Sequence, residues 1–258
     1  MTGRIQWLMF SLVFSFAAPA LAQTTVCVPQ FLNGSLGAYQ WRTTLILQNQ
    51  EQIQAQIQLH FRDSNGAPIQ QLRMTRAYGQ GPQYGVGLNG EWSPDPIRAR
   101  SMIALRSTGE GGLQAGYVMV QSQQRIQVQA RLQVFDANGT LVSETGAIPG
   151  PQFRQGTFYA GRSQGALIGL ALINPSTDRT VACTVEVVSE EGEVLGTTIV
   201  TLGAHAQIAS YLFELFPQLL TDEGTFVRIT CVDPVCALVL HLNGLEMFQI
   251  PVVVVDPN

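Results

Sequence analysis

Residues 45–49 read LILQN and residues 170–174 read LALIN, and each asparagine is followed 17 or 18 residues later (49 to 66, 174 to 192) by a turn glycine. An internal repeat constrains a fold strongly, because each copy must bury its own apolar face and the copies must share one architecture. The correspondence extends. IQAQIQLHFRDSNG aligns with TVACTVEVVSEEG, and GYVMVQSQQRIQVQARL (116–132) aligns with TFVRITCVDPVCALVLHL (225–242). Both copies close on an Ile-Pro step, Ile148-Pro149 and Ile250-Pro251. The offset between copies falls from 125 (170 minus 45) to 109 (225 minus 116), so the first carries extra residues in its middle. The repeat predicts two related domains, 23–150 and 151–258, arising by internal duplication.

Within each copy, short runs rich in Val, Ile, Leu and Thr alternate apolar with polar positions between turns such as Asn65-Gly66, Asn138-Gly139 and Glu191-Gly192. That pattern predicts an all-β chain: two tandem antiparallel β-sandwich domains of the immunoglobulin-like kind. One helix is expected in the second copy, where HAQIASYLFELFPQLL places Ile208, Leu212, Leu215, Phe216 and Leu219 at helical spacing. Aligning Gly66 with Gly192 sets Ala55, Ile57, Leu59 and Phe61 opposite Val181, Cys183, Val185 and Val187, as the core face of a shared strand. Gln54, Gln56 and Gln58 then point outward. A second run predicts Ile126, Val128, Ala130 and Leu132 inward, with Gln127, Gln129, Arg131 and Gln133 outward. A committed apolar face pins the register and argues against a prion-like tract.

The chain opens MTGRIQWLMFSLVFSFAAPALAQ, with Arg4, an apolar run from Trp7 to Ala18 and an Ala-Leu-Ala step ending at Ala22. Residues 1–22 read as a secretory signal peptide of bacterial appearance, which predicts a secreted, periplasmic or extracellular protein. No transmembrane segment is expected in the mature chain, since a spanning helix needs about 20 apolar residues. Charged residues make up only 12% of the chain and all 14 basic residues are arginine. The absence of lysine excludes Schiff-base, P-loop and Lys–Asn crosslinking chemistry. A net charge of −4 without a basic track argues against nucleic acid as a partner.

Four cysteines, Cys27, Cys183, Cys231 and Cys236, suggest two disulfides in an exported chain. In ITCVDPVCAL the Val-Asp-Pro-Val segment reads as a hairpin turn. Cys231–Cys236 is the easiest bridge on that reading, leaving Cys27–Cys183. The alternative is a buried free thiol at Cys183 on its apolar strand face. Zinc lacks a ligand set, because His60, His205 and His241 stand alone and no second close cysteine pair exists; no metal and no cofactor is expected. RDSNG and FDANG lack the later acidic positions of a calcium loop, so Asp63 and Asp136 are read as turn-initiating residues.

GRSQG, residues 161–165, fits a nucleophile-elbow pattern around Ser163, with Asp178, Asp222 or Asp233 and His241 downstream. The elbow requires a following helix, whereas the repeat places a strand there, so a serine hydrolase is a distant alternative. The extra segment of the first copy, TRAYGQGPQYGVGLNGEWSPDPIRARS (75–101), is a long Gly- and Pro-rich insertion loop carrying Tyr78, Tyr84 and Trp92. Loops of that length are commonly functional, and aromatic rings at a sandwich end can stack on sugars.

The L-x-L-x-N step, GAHAQIASYLFELFP and the closing LNGLEMFQIPVV resemble the paired sandwich modules of many exported bacterial proteins of unassigned function. The likeness covers most of the second copy, and the first copy departs from it at 75–101. It implies a fold and an extracellular setting and transfers no catalytic residue. The expected function is a secreted, non-enzymatic adhesion, surface or matrix component with other surface proteins or extracellular polysaccharide as partners. The alternative is a carbohydrate-binding module using Tyr78, Tyr84 and Trp92.

Overall fold

The computed structural model describes residues 24–78, 82–161, 166–218 and 225–257. The leader expected at 1–22, Ser163, Leu219 of the expected helix and Asp222 lie outside the described residues. Everything described is strand or turn apart from one four-residue helix, and the strands form two antiparallel sheets, one in each half of the chain.

Ten strands build the first sheet. They are β1 (Thr24–Leu36), β2 (Tyr39–Asn49), β3 (Ile57–Asp63), β4 (Arg73–Arg76), β5 (Tyr84–Gly85), β6 (Glu91–Trp92), β7 (Met102–Ser107), β8 (Gln114–Ser122), β9 (Ile126–Phe135) and β10 (Leu141–Ala147). β1 pairs with β8 through most of its length and with β2 at Gly34–Leu36, so it turns the corner between two layers. Its ladder slips between Val28 and Phe31, where Pro29 has no N–H to give. The sheet thereby curls into a nearly closed barrel. One wall runs β1-β8-β3-β6 and the other β10-β9-β2-β7-β4-β5.

The second sheet holds β11 (Phe153–Tyr159), β12 (Leu167–Ile173), β13 (Val181–Val188), β14 (Val194–Leu202), β15 (Gln207–Tyr211), β16 (Phe226–Asn243), β17 (Glu246–Ile250) and β18 (Val253–Pro257), with α1 (Leu212–Leu215) after β15. Its walls run β18-β11-β16-β13-β14 and β17-β16-β12-β15, in the ladder order of the first half. β16 belongs to both walls. The hairpin expected at Val232-Asp-Pro-Val235 is therefore absent: this stretch is the corner of one 18-residue strand. Pro234 signals a bend here as readily as a turn, because either relieves it of ladder duty. The expected helix is likewise shorter than its spacing implied. Gln207–Tyr211 ladders onto β12, and helix occupies only Leu212–Leu215, closed by Glu214 accepting from the Tyr211 N–H at 2.8 Å. The 75–101 segment is not a structureless loop, since it contributes β5 and β6 and buries Val86 and Ile97.

The predicted strand register holds in both halves. Ala55, Ile57, Leu59 and Phe61 are buried in the first core, and Val181, Cys183, Val185 and Val187 in the second. Gln54 and Gln56 are exposed, as are Gln127 and Gln129. These amides occupy different walls and form no single amide face: Gln58 lies opposite Gln121 on β8, and Gln127 opposite Gln48 on β2. Gln133 departs from expectation and is buried. Its amide donates to Glu144 at 2.6 Å and accepts from Thr44 at 2.8 Å, which offsets its desolvation.

The asparagine of each L-x-L-x-N step has a structural reason. Asn49 is fully buried and its Nδ2 donates to the carbonyls of Ile53, Ile97 and Arg98, while its Oδ1 accepts from Glu51 N–H. Asn174 is fully buried too, donating to Arg179, Leu202 and Gly203 and accepting from Ser176 N–H. One side chain thus satisfies loop carbonyls that strand pairing leaves open. Asp63 and Asp136 hold their turns as their sequence suggests, each accepting two backbone N–H groups.

Candidate binding surfaces

The three aromatic residues of 75–101 do not form one exposed platform. Tyr78 is 68% exposed, whereas the rings of Tyr84 and Trp92 pair at 5.4 Å and are half-buried, Trp92 packing on the first core. β5 and β6, two residues each, fix them at opposite margins of the sheet order, brought together by its curl. The space behind the rings, bounded by Arg76, Pro94 and Asp95, is about 10 Å³ and admits no ligand. Stacking is open only on their outer surface.

A second surface arises where the halves meet. Cys27, Tyr117 and Met119 point outward from the β1-β8 wall and form a buried cluster with Ile173 and Cys236. Ala171 and Leu238, two positions along β12 and β16, join the first core itself. Polar bonds fix the junction. The Tyr117 hydroxyl donates to the His205 carbonyl at 2.6 Å, Gln207 N–H donates to Ser64 O at 2.8 Å, and Gln207 Nε2 donates to Pro29 O at 2.7 Å. Burial pushes the Tyr117 phenol well above its ordinary pKa, so it remains a donor. Ile148 and Gln249, from the closing segments of the two halves, exchange N–H and carbonyl bonds. Gly66 is required here: at φ +82° it lies so close to His205 that a Cβ would sit 2.7 Å from that carbonyl oxygen. Beside the junction opens a cleft of about 470 Å³, lined by Leu32, Trp41, Ala171, Leu238, Leu240 and Met247, with Tyr211 and Glu214 among its polar groups. That volume falls within the range of small-ligand sites.

The third surface is the free margin of the second sheet. β14 reads VLGTTIVTL, nine residues without a charge or a proline, and among the described residues it pairs only with β13. Val200 and Leu202 enter the core, while Ile199 is 69% exposed between exposed Thr197 and Thr201. The uncharged row continues inward through Thr184 and Thr230. A long, apolar, unguarded edge strand is a template for another strand, because its outward N–H and C=O groups have no partner.

Cysteine pairing differs from both expected bridges. Cys183 and Cys231 stand directly opposite on β13 and β16 and form a disulfide, with Cα atoms 4.1 Å apart. Cys231–Cys236 is impossible on one continuous strand, and Cys183 is neither free nor bonded to Cys27. Cys27 and Cys236 are buried thiols. The residues of the hydrolase alternative are engaged otherwise. His241 stacks on Phe248 at 4.3 Å, Asp233 pairs with Arg179 at 3.1 Å, and Asp178 accepts from Ser176. His60 contacts Glu91 at 3.3 Å. No family model, curated protein or solved structure matches this chain.

Proposed function

We propose that the chain is an exported, non-enzymatic adhesion, surface or matrix protein, built from two duplicated immunoglobulin-like sandwich units and associating with other copies through β14. The shared ladder order and the matching Asn49 and Asn174 networks support the duplication. The β14 edge carries the functional reading: nine uncharged residues offer an unpaired strand margin, and the occupant it fits best is the β14 of a second copy, antiparallel across a two-fold axis. The expected affinity is low. Each new backbone hydrogen bond contributes about 1 kcal/mol net, and association costs about 4–15 kcal/mol in lost freedom. Pairing is therefore weak in dilute solution and effective where copies are crowded on a surface.

Sedimentation velocity over a concentration series tests this. The wild type should show concentration-dependent association, and Ile199→Lys, which places a charge on the edge, should stay monomeric. A wild type that remains monomeric at its highest soluble concentration overturns the reading. The Tyr84–Trp92 pair favours a second reading, a carbohydrate-binding module that stacks sugars on the outer ring faces. Retention on insoluble polysaccharide that is lost in Tyr84→Ala/Trp92→Ala supports it, and no retention on any glycan ends it. Ser163 is tested directly by fluorophosphonate labelling, where silence removes the hydrolase.

A further inference from the structure

Two cysteines lie outside both main cores, and each belongs to a different half. Cys27 sits on β1 opposite Met119 of β8, and Cys236 sits on β16 opposite Ile173 of β12. These four side chains and Tyr117 make one small cluster in which Cys27 is 4% and Cys236 2% exposed. Both thiols lie in this one buried cluster, where β1 of the first half packs against β16 of the second. Among the described residues no group of three His, Cys, Asp or Glu side chains could hold a metal, which leaves the pair two donors short of a tetrahedral zinc site. Four cysteines allow three pairings, and with Cys183–Cys231 formed only Cys27–Cys236 completes a set.

We propose that Cys27 and Cys236 form a second disulfide, a covalent lock between the two halves. The oxidant is a disulfide donor, either a dithiol oxidase in its disulfide form or oxidised glutathione. The thiolate of one cysteine attacks a donor sulfur and releases one donor thiol, leaving a mixed disulfide. The other cysteine, deprotonated, displaces the second donor thiol from it. One donor disulfide is thus reduced to two thiols as one Cys27–Cys236 bond forms. Burial, and secondarily the Cys236 thiol, push the Cys27 pKa well above its ordinary value. Both cysteines are buried in the docked junction, out of reach of a disulfide donor, so the bond forms while the junction is open, during folding or transient separation. The new link spans 209 positions (236 minus 27), against 48 for Cys183–Cys231, so it constrains the unfolded chain over a far longer loop.

The full chain, reduced and unfolded in urea, refolded to equilibrium in glutathione redox mixtures, acid-quenched, unfolded again, alkylated and digested without reduction, tests the lock. Peptide mass mapping should find Cys27 joined to Cys236 under oxidising mixtures, and the oxidised protein should unfold at higher urea than the reduced one. Cys27→Ser should keep Cys183–Cys231, leave Cys236 alkylatable and show a smaller redox-dependent urea shift than the wild type, the remainder being that of Cys183–Cys231. If that variant fails to fold, the wild-type map still decides. Cys27 and Cys236 both alkylated after oxidising equilibration, either one found only as a glutathione adduct, or either one joined to Cys183 or Cys231, overturns the proposal.

Discussion

The same ladder position carries opposite chemistry in the two halves. On the β3-β8 wall of the first half His60 lies opposite Met119, and on the β13-β16 wall of the second Glu186 lies opposite Arg228. Met119 is buried because the second half covers it, while Arg228 and Glu186 make a 2.8 Å ion pair at the open surface. Two positions along, Tyr117 is fully buried and donates across the junction, whereas Phe226 is 40% exposed against Tyr159. The margins differ as well: beyond β3 stands β6, two residues including Glu91, and beyond β13 stands the nine-residue uncharged β14. The first half is shaped to be covered, and the second to leave a wall and an edge in solvent. Position in the assembly, more than ladder geometry, decides which residue types a wall can carry.

The largest test of that contrast concerns the crosslink. The second half joins Cys183 to Cys231 where the first pairs Ile57 with Ser122. Removing the disulfide with Cys231→Ser should cost on the order of 4 kcal/mol by loop entropy, read as a lower urea midpoint for the second core. Next comes an exchange of face chemistry. Met119→Arg places an unpaired charge in the buried junction and should cost on the order of 3 kcal/mol, whereas the reciprocal Arg228→Met should change stability by under about 1 kcal/mol because its ion pair is exposed. Equal losses in chemical denaturation would show that both faces are alike and break the contrast.

A smaller effect sharpens the likeness of the halves. Asn49→Ala and Asn174→Ala should each destabilise by about 2 kcal/mol, since each strands several buried carbonyls. Similar losses measured by urea titration would mark the two asparagines as one device. The smallest effect is pH-dependent. His205 is held below its usual pKa of 6.5, first by burial and then by Arg62 and His60, and His60 is itself beside Glu91. The unfolded chain therefore takes up this proton before the folded chain does. Stability is complete above about pH 6.5 and should fall as acid carries the protein from there toward the lower folded pKa. Thermal unfolding across that range should show the loss, reduced in His205→Gln.

Much of the fold was legible because period-two alternation has one solution once one face is apolar. It placed Ile57 and Cys183 inside and Gln54 outside before any ladder was known. What misled were signals with two physical meanings. Pro234 marks a corner as well as a turn, and Ile208 and Leu212 fit helical spacing although a β-ladder claims the first of them. Gln133 resembles its outward neighbours and differs only by finding Thr44 and Glu144. Disulfide pairing needed the register between β13 and β16, which sequence spacing does not encode. The junction was hidden for a similar reason: the run Tyr117-Val-Met-Val120 is apolar on both faces, so its spacing does not say that Val118 and Val120 enter the first core while Tyr117 and Met119 meet the second half. VLGTTIVTL carries no charge in the sequence, but nothing in the run marks it as a margin strand.

β16 gives the second half a mechanical character. One extended backbone runs from the Cys231 crosslink through the corner at Pro234 to Cys236 and Leu238 at the junction. A load applied at the junction travels along that backbone into the crosslinked wall, a stiffer route than one relayed by side-chain packing. The second half is thereby tied by one covalent path from its crosslinked wall to the face that meets the first half.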